Sequence, residues 1–343
     1  MNKATMSLCE ICYKHIPASV YDLNCSVWIH KKCPTHGESQ YMIERDAEFY
    51  NSLVCDRTAY DPSGYVVEIT DRCNLKCPHC YQEPDNTKQD VAIDFLIDQI
   101  ANYPNDGQPI TLAGAEPTMR SDLCEIVTRI RTLGRPVNVL TNGLKLSSLE
   151  YVKELLAAGC EFVTVGLNHP DYQGASVHKK QLRGIVNCTL AGMRIKNINY
   201  TLESLDQIPF ILNEIQTFGG VAEEFRIRGG AEIGRHPDTP TLSLSDIVNC
   251  VKKYVDKKGW TLDKPLADDN VYHYMINING RSHRLIQWPD VKTIDLEELQ
   301  CGPWSNFAPG QPMTNLVHQV IMRDAGVNKK MLVTDLVPLK YRR

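Results

Sequence analysis

The sequence of 343 residues lacks the features that would place it in a membrane or on a nucleic acid. No apolar run approaches the roughly 18–20 residues that a membrane span needs. The N-terminal stretch MNKATMSLCEICYK has no apolar core of a secretory signal. The formal net charge is only −4, and no clustered basic face is evident. We therefore expect a cytoplasmic protein with no membrane span and no nucleic-acid partner.

Cysteine, in contrast, is abundant. Thirteen cysteines in a chain that we expect in the cytoplasm favour metal ligands and buried thiols over disulfides. Only Cys250 and Cys301 follow residue 235, so we expect no further all-cysteine cluster in that part of the chain.

Six apolar, β-branched runs alternate with amphipathic stretches from Tyr65 onwards. The runs are YVVEIT, PITLAG, PVNVLTNG, EFVTVGLN, RIKNINYTL and AEEFRIRGG. Continuous apolar strands alternating with helices predict an α/β fold, a parallel sheet covered by helices. Six units fit a partial barrel or a doubly wound sheet, and in both folds functional residues gather at the carboxyl ends of the strands.

The pattern predicts three domains, which comprise residues 1–60, 61–235 and 236–343. The first is cysteine-rich and has little helical periodicity, and the second holds the six strand–helix units. In the third, an α+β extension that we expect to cover the barrel mouth, YHYMINING and RSHRLIQW predict a β-hairpin that turns at Asn279-Gly280.

Three cysteines follow the first of the six strands. The stretch TDRCNLKCPHCYQEP places Cys73, Cys77 and Cys80 within eight positions. Three thiolates on one loop favour an iron–sulfur cluster, because thiolate is its usual ligand. A zinc half-site with a distant fourth ligand and a set of structural thiols are the alternatives. If the protein holds only three irons of a cubane, the fourth iron is open to an outside ligand.

This C-x3-C-x2-C pattern, followed by Tyr81, resembles the radical S-adenosylmethionine (radical SAM) superfamily. The resemblance implies a partial (β/α)6 TIM-like barrel and a 4Fe-4S cluster whose open iron binds the amino and carboxylate groups of SAM. One electron then cleaves SAM to methionine and a 5′-deoxyadenosyl radical, which abstracts hydrogen from a small-molecule or lipid substrate. Carbon–carbon bond formation, methylation or rearrangement would follow. The implied electron donor is a protein such as ferredoxin or flavodoxin.

Further segments match the positions at which the resemblance implies SAM contacts. LAGAEPT resembles the Gly-Gly-Glu-Pro motif, with Ala115 where glycine is commoner and Glu116 as an acceptor for the SAM ammonium. LTNG and VGLNHP end the third and fourth strands, and KKQLRG offers a basic residue for the SAM carboxylate. Arg226 and Arg228 alternate with apolar residues on the sixth strand, and inside a barrel they would need anionic partners. The predicted SAM contacts, each with a structural role as its alternative, are Tyr81, Gly114, Ala115, Glu116, Thr118, Thr141, Asn142, Asn168, Arg183, Arg226 and Arg228.

The amino-terminal cysteines form a second pattern. CEIC and CPTHG give C-x2-C, twenty residues, and C-x2-H, the spacing of a small zinc ribbon. The predicted ligands are Cys9, Cys12, Cys33 and His36. Cys25 is an alternative to His36, and the resulting four-thiolate site would accept iron as readily as zinc. The arrangement resembles a radical SAM subgroup with an N-terminal metal knuckle, associated with tetraether lipid formation and pterin methylation.

Cys301, beside Trp304 and Phe307 in QCGPWSNF, is a candidate donor of a hydrogen atom to a substrate radical, with a packed loop cysteine as the alternative. The competing function for the whole chain is a non-catalytic zinc-binding scaffold that serves protein interaction.

Overall fold

The protein is described from a computed structural model, which covers residues 2–8, 15–52, 65–78, 80, 84–103, 105, 107–229, 242–263, 266–268 and 271–289. The chain divides into two compact units. Unit 1 holds residues 1–60, 201–216 and 227–313, and unit 2 holds residues 61–200, 217–226 and 314–343. None of the helices in the described ranges is long and apolar enough to cross a membrane. The three-domain division at residues 60 and 235 stays a prediction.

Unit 1 begins with a four-stranded antiparallel sheet whose strands lie side by side in chain order. Val20, Val27 and Ile29 of this sheet form a small buried core with Tyr50 of the following helix, α1. The elements are β1 (Asn2–Leu8), β2 (His15–Leu23), β3 (Ser26–Cys33), β4 (Gly37–Glu44) and α1 (Ala47–Ser52).

The remainder of unit 1 contains the predicted β-hairpin, which the structure confirms. Its strands pair antiparallel and turn at Asn279 and Gly280, whose φ angles of 52° and 80° are those that a type I′ turn requires. The elements are α7 (Ile208–Phe218), α8 (Leu244–Lys258), β11 (Thr261–Leu262), β12 (Leu266–Asp268), β13 (Val271–Ile278) and β14 (Arg281–Pro289).

A buried carboxylate joins the amino-terminal sheet to α8 within unit 1. Glu44, at the end of β4, accepts hydrogen bonds from Ser245 Oγ at 2.5 Å and from the Ser245 backbone N–H at 3.3 Å. It also accepts one from the Arg45 backbone N–H at 2.7 Å. Because a buried carboxylate is costly without such donors, this contact fixes the end of β4 on the first turn of the helix.

Unit 2 is built on parallel strands that lie next to one another in chain order, as the six strand–helix units predict. The structure therefore confirms the α/β fold with a partial barrel. The strands are β5 (Tyr65–Thr70), β6 (Ile110–Gly114), β7 (Val137–Thr141), β8 (Phe162–Gly166), β9 (Arg194–Leu202) and β10 (Ala222–Gly229). The helices are α2 (Ile93–Ala101), α3 (Leu123–Thr132), α4 (Leu149–Ala157), α5 (Pro170–Gln173) and α6 (Ala175–Ala191).

The two faces of this sheet differ in polarity. Consecutive parallel strands with right-handed crossovers place the helices on one face. One register row that crosses five strands is apolar and at most 2% exposed, as expected under the helices; it contains Val67, Leu112, Val139, Val163 and Ile195. The opposite face, which we call the inner face, is mixed. Its polar residues are Glu68, Thr111, Asn138, Thr164, Asn197 and Asn199, and its apolar residues include Val66, Ala113, Leu140 and Phe162.

Candidate active site

The three-cysteine loop leaves the carboxyl end of β5 and is fixed at its first cysteine. Cys73 is 9% exposed, and its Sγ accepts a hydrogen bond from the Leu75 backbone N–H at 3.4 Å. The Asn86 side chain accepts from the Cys73 N–H at 2.9 Å and donates to the Cys73 carbonyl at 3.1 Å. This two-point contact holds the Cys73 backbone in one orientation. Burial raises the pKa of its thiol.

The other two cysteines of the loop, Cys77 and Cys80, are half-buried. The Gln173 side-chain amide, at the end of α5, donates to Cys77 Sγ. In the part of the chain that the structure describes, no three His, Cys, Asp or Glu side chains are grouped to hold a single metal ion. Cubane ligands bind three separate irons rather than one point, so the loop has the donor set of an iron–sulfur cluster.

An ion pair fixes the base of the loop. Arg72 donates from Nε to Asp90 Oδ1 at 3.2 Å and from its terminal nitrogen to the Met119 carbonyl at 3.3 Å. Asp90 also accepts from Thr70 Oγ1 at 2.5 Å, and its hydrogen bonds raise the pKa of Arg72. The residue that precedes Cys73 is thus tied to the segment before α2 and to the loop after β6. Sequence reasoning missed this pair.

Glu116 follows β6 and is 1% exposed. Its Oε1 accepts from the Thr118 backbone N–H at 3.1 Å, from Thr118 Oγ1 at 2.5 Å and from Thr141 Oγ1 at 2.7 Å. Its Oε2 accepts from the Asn142 backbone N–H at 2.7 Å. Burial raises the pKa of Glu116, and these hydrogen bonds oppose that effect. All four donors are neutral, so a nearby cation would favour the carboxylate form.

Asn142 connects Glu116 to the cysteine loop. Besides its backbone contact with Glu116, its side-chain amide donates to Asn74 Oδ1 at 2.8 Å and lies 4.0 Å from Cys73 Sγ. The Gln181 side chain of α6 donates to the Asn142 carbonyl at 2.9 Å and to the Gly166 carbonyl at 3.0 Å. The ends of β5, β6, β7 and β8 are therefore held together, as expected for a parallel α/β sheet.

The close approach of β5 requires a glycine at position 114. Its φ is +121°, and a Cβ at this position would lie 2.4 Å from the Thr70 carbonyl oxygen. The next two backbone N–H groups, of Ala115 and Glu116, donate to the carbonyls of Thr70 and Arg72, each at 2.9 Å. The small residue thus allows close approach of β6 to β5. Ala115, where the motif has glycine, is half-buried and is accommodated.

The surroundings of three predicted SAM contacts differ from those that we expected. Thr118 has no exposed surface and Thr141 is almost fully buried, and both hydroxyls donate to Glu116. Arg183 is exposed on α6, away from the residues of that helix that are buried, and its contact with SAM stays a prediction. Gln181, two positions earlier, is the buried polar residue that contacts the strand ends.

Arg226 has an anionic partner within its own strand, because Glu224 accepts from its guanidinium at 3.2 Å, and its contact with SAM stays a prediction. Asn168 is half-buried after β8, and its carbonyl accepts from His178 Nδ1 at 2.9 Å. Tyr81, Cys301 and the side chain of Arg228 lie outside the described residues.

In the amino-terminal sheet, Cys33 and His36 come together, with Sγ and Nδ1 separated by 3.5 Å. Leu8 and His15, which flank the undescribed Cys9 and Cys12, are paired with each other, and Ile16 packs against Cys33. Both predicted ligand pairs are thus flanked by residues at one end of the sheet.

Cys25 lies in the turn between β2 and β3, beyond the Leu23–Ser26 pair. It is separated from Cys33 by the eight residues of β3, about 3.3 Å each. One ion cannot be bound at both ends of this strand, so the alternative with Cys25 as a ligand is wrong.

Two family models match the chain. Residues 67–214 match the Radical SAM superfamily, and residues 1–45 match the HMPTM N-terminal zinc ribbon domain. These matches confirm the predicted cofactors, a 4Fe-4S cluster with SAM in the superfamily domain and zinc in the ribbon.

Curated relatives are similar over part of their length. The chain is 30% identical over 310 residues to 7,8-dihydro-6-hydroxymethylpterin dimethyltransferase of Methanocaldococcus jannaschii, which covers 75% of this chain and 59% of the relative. It is 31% identical over 165 residues to Fe-coproporphyrin III synthase of Methanosarcina barkeri, which covers 44% of this chain and 40% of the relative. The chain thus spans about half the length of the curated relatives that it matches.

Among solved structures, SuiB of Streptococcus suis bound to precursor peptide SuiA is similar at a TM-score of 0.46, with 14% identity, over 74% of this chain and 71% of that chain.

Proposed function

The chain belongs to the radical SAM superfamily and has an N-terminal zinc ribbon, and we propose that it is an enzyme that abstracts a hydrogen atom from a substrate by SAM chemistry. The observation that supports this most is the link through Asn142 between the Cys73 loop and the buried Glu116. A buried carboxylate is costly to maintain in an interaction scaffold, whereas a SAM-binding site has a use for it.

We assign Cys73, Cys77 and Cys80 as the ligands of the cluster. When bound, the reduced cluster supplies the electron that cleaves SAM to methionine and a 5′-deoxyadenosyl radical. Asn86 orients Cys73, the Arg72–Asp90 pair fixes the base of the loop, and burial of Cys73 limits access of water. A reduced ferredoxin or flavodoxin is the proposed electron donor.

For SAM, we assign Glu116 as the acceptor of the ammonium group. Only one described hydrogen bond reaches Oε2, so this oxygen keeps acceptor capacity. Gly114, Ala115 and Asn168 are half-buried and are candidates for direct contact. Thr118 and Thr141 act as positioning residues, because their hydroxyls hold Oε1 and leave Oε2 for the ligand.

In the ribbon, we assign Cys33 and His36 as zinc ligands together with Cys9 and Cys12. The contact of Cys33 with His36 supports this assignment, since one knuckle presents two ligands to a tetrahedral ion.

The first substrate to test is 7,8-dihydro-6-hydroxymethylpterin. The relative named for dimethylation of this compound is similar over 75% of the present chain. Methylation of a pterin is therefore the proposed reaction class with the most support from similarity.

Anaerobic reconstitution with iron and sulfide tests the proposed activity. We expect a brown protein that forms 5′-deoxyadenosine from SAM with dithionite, measured by liquid chromatography. A colourless protein that binds only zinc and forms no 5′-deoxyadenosine would support the scaffold instead.

Gln173 is expected to tune the reduction potential of the cluster. Its amide donates to Cys77 Sγ, and such hydrogen bonds stabilise the more negative, reduced state. A hydrogen bond of about 1 kcal/mol corresponds to about 40 mV for one electron. Gln173→Leu should therefore lower the midpoint potential by tens of millivolts in a spectroscopic redox titration, while Gln216→Leu, at an exposed position of α7, should leave it unchanged. Equal potentials in Gln173→Leu and the wild type would contradict this role.

A further inference from the structure

The inner face of the sheet carries polar side chains among apolar ones, which include Leu140 and Phe162. Thr111 pairs in register with Asn138, Thr164 with Asn197, and Gly166 with Asn199. Residues paired in register point to the same side of a sheet, so these polar groups share the face opposite the apolar rows. Thr111, Gly166 and Asn199 are half-buried and hence partly accessible.

Most of these polar groups bind one another. Asn138 donates to Thr111 Oγ1 at 3.2 Å and accepts from Thr164 Oγ1 at 3.3 Å. With its side-chain amide turned to the orientation that satisfies both ends, Asn197 donates to Glu224 Oε2 at 2.8 Å. These hydrogen bonds satisfy most of the polar groups in this part of the face.

The described charges of the inner face do not favour an anionic ligand. They include the carboxylates of Glu68 and Glu224 and the guanidinium of Arg226, which is paired with Glu224. The guanidinium of Arg194, at the other end of the face, is paired with Glu223. A phosphorylated substrate requires a surplus of Arg or Lys, and the described part of this face shows no such surplus.

Asn199 has unused hydrogen-bonding capacity. Its Oδ1 is buried and has no hydrogen-bond partner within the described structure. An unsatisfied buried amide oxygen costs about 1–3 kcal/mol, and a ligand that donates to it removes that cost. Opposite Asn199 is Gly166, where an added Cβ would meet only the Thr141 carbonyl oxygen, at 3.8 Å. Open space at Gly166 therefore lies beside the Asn199 amide. Both are near the carboxyl end of the sheet, where the cysteine loop also lies.

We infer that the inner face binds a neutral, polar substrate that both donates and accepts hydrogen bonds, and that Asn199 determines this specificity. The inference rests on the proposed function.

The test uses the reconstituted holoenzyme and three probes from a protein-free extract of the organism that encodes it. The extract is partitioned into a chloroform-soluble fraction and an aqueous fraction, and the latter is separated on an anion-exchange resin into bound and unbound material. Formation of 5′-deoxyadenosine is measured with each probe and without any. We expect the unbound aqueous material to raise the rate at least tenfold, and Asn199→Leu to lose about tenfold or more of that stimulation.

Asn249→Leu, at an exposed position of α8, is the matched control and should behave as the wild type. Asn199→Ser keeps a donor and an acceptor and should retain more stimulation than Asn199→Leu; iron content and SAM binding show that each variant is folded. Stimulation by the chloroform or resin-bound fraction alone, no stimulation by any fraction, or full stimulation of both Asn199 variants would overturn the inference. A wild type that forms no 5′-deoxyadenosine either with any probe or without one would instead overturn the proposed function.

Discussion

Cys73→Ser is expected to lose most of the cluster and to form 5′-deoxyadenosine at less than about 1% of the wild-type rate. Changes behind a metal ligand already cost about 10–100-fold in affinity or activity, and loss of a ligand should cost more. A serine hydroxyl does not ionise to replace the thiolate, and Asn86 would still hold the backbone of residue 73 in place. Iron and sulfide content, the visible spectrum and product formation measure the effect.

Cys124→Ser provides the matched control. Cys124 lies on α3, is half-buried, and is remote in sequence from the three-cysteine loop. This variant should keep the iron content and the rate of the wild type. A Cys73→Ser protein with a full complement of iron and normal product formation would show that Cys73 is a structural thiol.

Glu116→Gln is expected to weaken SAM binding by about 100-fold, or about 3 kcal/mol. The carboxylate accepts four hydrogen bonds from neutral donors, three on Oε1 and one on Oε2. In either orientation, a glutamine amide directs its NH2 group at one of those donors, most simply at the Asn142 backbone N–H. The variant also loses the negative charge that we assign to the SAM ammonium. Equilibrium binding of SAM to the reconstituted protein measures the change.

Thr118→Val separates the effect of the Glu116 charge from the effect of the hydrogen bonds that position Glu116. This substitution removes one hydroxyl donor to Oε1 and keeps the carboxylate, so we expect a decrease in SAM affinity of about tenfold or less. If Glu116→Gln bound SAM as tightly as the wild type, the assignment of Glu116 to the ammonium would be wrong. Equal losses in both variants would indicate that Glu116 acts only by positioning the loop.

Alternation of strands and helices made the barrel predictable. The strands β5, β6 and β9 lie within YVVEIT, PITLAG and RIKNINYTL. Runs rich in β-branched residues between helical stretches favour β-strands. The amphipathic stretch between PITLAG and PVNVLTNG contains α3, Leu123–Thr132. The cysteine spacing and the Glu116 motif were predictable for a different reason: they are local in sequence.

Contacts between distant segments could not be predicted in the same way. Asn86 binds the Cys73 backbone from thirteen positions away, and Gln173 reaches Cys77 from ninety-six. No short pattern encodes such pairs. Gln181 was missed because the phase of its helix was not considered: Gln181 and Ile185 of α6 are buried, whereas Arg183 is exposed.

The polar residues of the inner face had a signal that we did not use. Thr111 in ITLAG, Asn138 in VNVLT and Thr164 in FVTVG each lie between buried apolar neighbours. A period of two within these strands predicts that the three polar side chains share one face, whereas we treated the strands as apolar throughout. The same oversight hid the four strands of the amino-terminal sheet, where burial alternates along β3.

The most direct test of the proposed site is electron–nuclear double resonance on the reduced, reconstituted protein with SAM labelled with 15N at the amino group and 17O at the carboxylate. If Cys73, Cys77 and Cys80 leave one iron open, both labels should give hyperfine couplings to the cluster, and Glu116→Gln should weaken them. A cluster signal that is unchanged by SAM and shows no coupling to either label would contradict the binding of SAM at that iron.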